Sequence, residues 1–211
     1  MYEGLELTFR QQVPDAFTRR FLTGVFAAYK AAALEGKQHH DPIELKSVLG
    51  DLERSKVETN FREAAQLSGL AAHVIPVGNG SYTYTRVVAG DIVMTQSKVQ
   101  WPGGFTDDAN FRQTLASGQL VLDVDPTAPP ADATYALFIH TRSVWPVLDR
   151  HKWGHLPGSA HVAFPAPSVK KYLHVMDLFE MFPDVVKANT PQEWDDLTLH
   201  QYVKRSRRHV A

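Results

Sequence analysis

The chain has 211 residues, 44% of them hydrophobic and 21% charged, with a net charge of −1 and no cysteine. Those values fit a globular protein large enough to bury a core without staples, and they exclude a disordered or membranous chain. The lack of cysteine excludes disulfides, thiolate catalysis and cysteine-ligated zinc, while near-neutrality leaves any binding of nucleic acid to a local patch.

No stretch approaches the roughly 18 apolar residues of a membrane span, and MYEGLELTFRQQ lacks a basic segment followed by an apolar run. A soluble, cytoplasmic chain without a signal peptide is therefore expected. Leu5, Leu7 and Phe9 alternate, which suggests a short entry strand. Val13-Pro14-Asp15 then starts a helix expected to reach about Glu35 and stop at Gly36. Its apolar face (Phe17, Phe21, Val25, Ala28, Ala32) is widened by Phe26 and Tyr29, so it suits a helix with more than one neighbour, within the chain or in a homodimer. Asp41-Pro42-Ile43-Glu44 has the form of a capping box with proline at the first helical position. The helix it opens carries Leu45, Val48, Leu49 and Leu52, with Gly50 or the polar run Glu53 to Lys56 as an expected break before Val57, Phe61, Ala64 and Ala65.

Leu70 to Gln100 reads as a three-stranded antiparallel meander, with Gly78-Asn79-Gly80 and Ala89-Gly90-Asp91 supplying its tight turns. Alternation puts Ile92, Met94, Gln96 and Lys98 on one face of the third strand and Asp91, Val93, Thr95, Ser97 and Val99 on the other. Polar residues are thus mixed into faces that begin apolar, as in strands running out to a groove or an edge. Thr106-Asp107-Asp108 is expected to cap a short helix with Phe111 and Leu115, followed by a strand over 119–124. The Pro-rich segment 125–133 is a surface connection and the one place where the single domain, residues 1–211, could divide. Thr134 to His140 is apolar on both faces, as in a central strand, and Ser159 to Phe164 is a further strand. Two closing helices are expected, one capped by Ser168 with Val169, Tyr172, Leu173, Met176, Phe179 and Phe182 inward, the other opened by the capping box Thr190-Pro191-Gln192-Glu193. The fold class is α+β: N-terminal helices, a meander extended into a larger mixed sheet, and two C-terminal helices.

The order helix, three antiparallel strands, helix, strand, with Gln96-Ser97-Lys98 on the third strand, resembles the core of the PD-(D/E)XK nucleases. That resemblance implies a magnesium site in which Lys98 positions or activates water and Glu58 or Glu63 assists from a helix. Gln96 stands where the family has an acid, and the second strand has no aspartate. His140, at a strand end, is a candidate acid or base. His151 and His155 have helical spacing but are interrupted by Gly154 and Pro157, so metal binding there is not expected. Lys204, Arg205, Arg207 and Arg208 form a basic cluster suited to phosphate contacts, which Arg19, Arg20 or Arg86 could join, or to complementing a helix dipole. No nucleophile elbow, P-loop or dinucleotide fingerprint is present. The expected function is non-catalytic binding of a protein partner, itself or nucleic acid without a cofactor, with a magnesium-dependent nuclease or phosphodiesterase as the alternative.

Overall fold

A computed structural model describes residues 3–77, 82–100, 104, 110–117, 133–142, 155–166, 171–194 and 196–207. Three helices lead, α1 (Glu3–Gln12), α2 (Asp15–His39) and α3 (Pro42–Leu67), followed by strands β1 (Ala71–Val77), β2 (Tyr82–Ala89) and β3 (Ile92–Lys98). Helix α4 (Asn110–Ala116) precedes β4 (Thr134–Arg142), β5 (Pro157–Pro165) and β6 (Tyr172–Asp177), and α5 (Leu178–Met181), α6 (Pro183–Asn189) and α7 (Asp196–Arg207) close the fold. The class is the expected α+β. The element order on which the nuclease resemblance rests, helix, meander, helix, strand, runs from α3 to β4. Among the described residues no helix is long and apolar enough to cross a membrane.

The six strands stand in the sheet in chain order, and every neighbouring pair is antiparallel except β3 and β4, which are parallel. A parallel pair needs a crossover, and the chain between β3 and β4 carries α4 to the face opposite the other helices. Ile92, Met94, Ala136, Phe138, Ala160, Val162 and Phe164 pack on the main helices, whereas Tyr135, Leu137, Ile139, Ala163 and Val99 form a smaller cluster with Leu115 and Ala116 of α4. Both faces of the central strands are therefore covered. The mixed polarity of β3 marks neither a groove nor an edge, because β3 lies inside the sheet and Ile92 to Ser97 are all buried.

The entry expected as a strand is helix α1. Leu5 and Phe9 are one helical turn apart and face the core with Val13, while Leu7, on the other side, is 58% exposed. An ion pair from Glu6 to Arg10 at 2.8 Å adds the favourable i, i+4 orientation. Helix α3 is continuous where a break was expected. Asp41 caps it by accepting from the Ile43 and Glu44 N–H groups, and Gly50 and the run Glu53 to Lys56 sit inside it. Gly90 takes the positive φ of 57° that the β2–β3 turn demands; the other turn, 78–81, lies outside the described residues.

At the C-terminal end the expected helix through Tyr172 and Met176 is instead β6, paired antiparallel with β5, its apolar run split between the two covered faces. Asp177 then caps α5 by accepting from the Phe179 N–H at 2.8 Å. Thr190 does not open the last helix. Its hydroxyl donates back to the Val186 carbonyl at 3.0 Å as α6 ends, and α7 begins at Asp196. Trp194, Leu199, Tyr202 and Val203 pack inward. The proposed strand 119–124, the segment 125–132, the cap at Thr106 to Asp108 and Ser168 lie outside the described residues.

Phe138 of β4 sits at the centre of the main core. The rings of Phe17, Phe21 and Phe61 lie 4.8 to 5.5 Å from it, and Phe9 lies at 6.0 Å. The wide face of α2 is used within the chain: Phe26 stacks on Phe179 at 5.7 Å and Tyr29 turns to the sheet. Phe138→Ala removes the shared partner of four rings from three helices, so urea unfolding should show a loss of about 4 kcal/mol with no change in the far-ultraviolet spectrum below the transition.

Candidate functional site

On the helix-covered face, the apolar rows of β3 and β4 give way to polar side chains towards their C-terminal ends. Register places Gln96 beside Phe138 and Lys98 beside His140, with Arg142 two residues further along β4. Above them passes α3, whose inward stripe runs Phe61, Val57 and then, one turn earlier, Glu53.

Glu53 is 1% exposed and carries two cations: Lys98 Nζ lies 2.8 Å from its Oε2, and Arg142 donates to its Oε1 from Nε at 2.9 Å and Nη2 at 2.5 Å. A carboxylate this deep needs such partners, since an isolated charge there would cost several kcal/mol. Gly50, three residues before Glu53, gives the ammonium its room; a methyl group at that position would stand 3.3 Å from Lys98 Nζ.

Beside this triad runs a hydrogen-bonded chain. Glu58 accepts from the Gln96 side-chain amide and from the Thr85 N–H of β2. With its amide nitrogen committed to a carboxylate, Gln96 presents Oε1 to His140, whose Nε2 lies 3.1 Å away. Nε2 must therefore carry the imidazole proton and Nδ1 must accept, and the Tyr29 hydroxyl donates to it over 3.0 Å. Donation runs in one direction, Tyr29 to His140 to Gln96 to Glu58. Burial, with the Lys98 charge assisting, lowers the His140 pKa from 6.5 to about 3, so the ring is neutral at physiological pH. Burial likewise raises the Tyr29 pKa well above its ordinary value and keeps its hydroxyl a donor.

Of the residues singled out in the sequence, Glu58, Gln96, Lys98 and His140 converge here. Glu63 does not: it is five positions, or about 140° of helical rotation, from Glu58 and is exposed. Glu53 and Arg142 are the additions. Glu53 was legible as a lone acid at i−4 from Val57 and i+4 from Leu49, once α3 is taken as one helix. Asp91 stays at the β2–β3 turn, where its N–H donates to Gln12 Oε1 at 2.6 Å.

Magnesium seeks carboxylate oxygens in octahedral geometry. Here both oxygens of Glu53 face cations, both oxygens of Glu58 accept hydrogen bonds, the Gln96 carbonyl is held by His140, and Thr85 provides no acid from β2. The residues present do not fit the ion, and among the described residues no group of three acids or histidines is placed to bind a metal.

Of the basic cluster, Lys204 is exposed on α7; Arg205 and Arg207 belong to that helix, and their side chains, with Arg208, lie outside the described residues. Arg19 is engaged by Asp184 at 2.6 Å, Arg20 donates to Ser68, and Arg86 is buried in the sheet, so each already has a structural role. His151 lies outside the described residues, while His161 is buried on β5.

The depressed His140 pKa has a signed consequence. The unfolded ring takes up a proton near pH 6.5 and the folded ring only near 3, so stability is fully present above 6.5 and is lost as pH falls through that window. The full slope is about 1.4 kcal/mol per pH unit for one proton. His161, also lowered by burial, acts with the same sign. Chemical denaturation between pH 6.5 and 5 should show this slope, and His140→Gln should remove one proton's share of it while lowering stability at pH 7. No protein-family model matches the chain, and neither a curated protein nor a solved structure was found to match it.

Proposed function

We propose that the chain is a non-catalytic binding protein whose element order resembles that of a metal-dependent nuclease and whose corresponding centre is closed by its own side chains. The observation that carries this reading is the double engagement of Glu53 by Lys98 and Arg142, which takes up the buried acid and the lysine that a phosphodiesterase would need free. The Glu58–Gln96–His140–Tyr29 chain supports it, because no member is left to take a proton from water.

The partner is a macromolecule met at the surface, in a reducing compartment such as the cytoplasm that a cysteine-free chain tolerates. Nucleic acid, contacted by Lys204, Arg205, Arg207 and Arg208 at the end of α7, is the form of this reading that a sequence feature favours. A protein partner or a second copy of the chain is the other form. The convergence of Glu58, Gln96 and Lys98 at the ends of two parallel strands favours a second reading, a magnesium-dependent phosphodiesterase that opens the ion pairs on binding substrate.

One set of reactions separates these. The purified protein is incubated with mixed DNA and RNA, with and without magnesium, and read by gel shift, by cleavage and by light scattering. A salt-sensitive shift without cleavage is expected, unchanged in Lys98→Ala and weakened at least about tenfold by removing residues 204–211. Magnesium-dependent cleavage that disappears in Lys98→Ala would establish the enzyme instead. Equal binding by the truncated protein would eliminate the basic end as the contact, and a stable dimer with no shift would transfer the function to protein pairing.

A further inference from the structure

Apart from the strand-end network, a cleft of about 550 Å³ opens between α2, the approach to β5 and the segment following α6. This is within the range of small-molecule sites. Phe26 and Leu156, each 4% exposed, close its floor. Lys30 stands one helical turn beyond Phe26 on the same face of α2, and His155 faces the cleft from the β5 side.

Among the described residues that line the cleft, Lys30 carries the one formal charge. Burial, then the charges of Lys37 and Lys30, depress the His155 pKa, which puts both ammonium groups within electrostatic reach of the ring. Glu35, the acid lying between these lysines in sequence, is taken by Lys56 at 2.5 Å. Neither Lys30 nor Lys37 has a carboxylate partner among the described residues. On the far wall the Asn189 amide nitrogen donates to the Val185 carbonyl at 2.8 Å, and Gln192 lines the rim. An apolar floor beside the Lys30 ammonium is complementary to a molecule that is apolar at one end and negative at the other.

We infer that this cleft binds a small organic anion, its carboxylate or phosphate at Lys30 and its apolar body over Phe26 and Leu156. The inference is independent of the binding function proposed above, since none of that network's residues lines the cleft.

Fluorescence titration of the full chain with 8-anilinonaphthalene-1-sulfonate tests it, with decanoate and adenosine monophosphate as competitors. One saturable site is expected, weakened at least about tenfold by the charge reversal Lys30→Glu and lost in Ala27→Trp, which fills the cleft from an exposed position of α2. Both variants change exposed positions and should melt as the parent does. Displacement by decanoate assigns a carboxylate ligand and displacement by the nucleotide a phosphate. A probe displaced by neither, or bound equally by the parent and both variants, overturns the inference.

Discussion

The packing of Phe138 against rings from α1, α2 and α3 is the constraint on which the rest of the molecule depends. A strand side chain commits every second residue of its strand to the same face. With Phe138 fixed under the helices, Ala136, His140 and Arg142 must face them too, and parallel pairing carries Met94, Gln96 and Lys98 to the same side. A slip of one residue would turn Phe138 away from those rings and dismantle the polar network together. The apolar core and the strand-end cluster are two stretches of one register.

The cluster itself stabilises through completeness more than through its individual contacts. Buried ion pairs often repay little more than their desolvation, and an unpaired member is costly. Glu53 escapes that cost because Lys98 and Arg142 approach from two strands, their side chains 22% and 35% exposed. The neighbouring chain from Tyr29 to Glu58 is oriented by a single charge at its end, since an ionised carboxylate can only accept. An arrangement in which the carboxylates, amide and imidazole are already engaged with one another holds a shape well, and this engagement is what supports the binding role we propose.

The second face obeys the same logic on a smaller scale. Helix α4 covers it on the crossover between the parallel strands, and its Arg112 donates to Ser97 at 3.1 Å while Thr95 meets the Tyr135 hydroxyl at 2.6 Å. Polar residues on β3 that could have marked a solvent-facing edge are interior groups with partners. The sheet is a middle layer, and its central strands read as apolar with polar interruptions because helices lie on both sides.

The sequence by itself determined those features that local chemistry encodes. The cap at Asp41, the turn at Gly90, the alternation that separates Gln96 and Lys98 from Thr95 and Ser97, and the central character of Thr134 to His140 all follow from backbone geometry and side-chain period. Only the tertiary structure decided the ambiguous segments. Leu5 to Phe9 is helical because the core accepts residues one turn apart, and Tyr172 to Met176 is a strand because β5 offers an unpaired edge to a run too short for its period to choose. The same holds for the site. Glu58, Gln96, Lys98 and His140 could be suspected as types, yet their union required the parallel register of β3 and β4. Glu53 was hidden because a glycine and a polar run looked like a break, when that glycine makes room for the lysine the acid binds. Burial of a charge is a property of what surrounds it, and no single strand or helix carries that information alone.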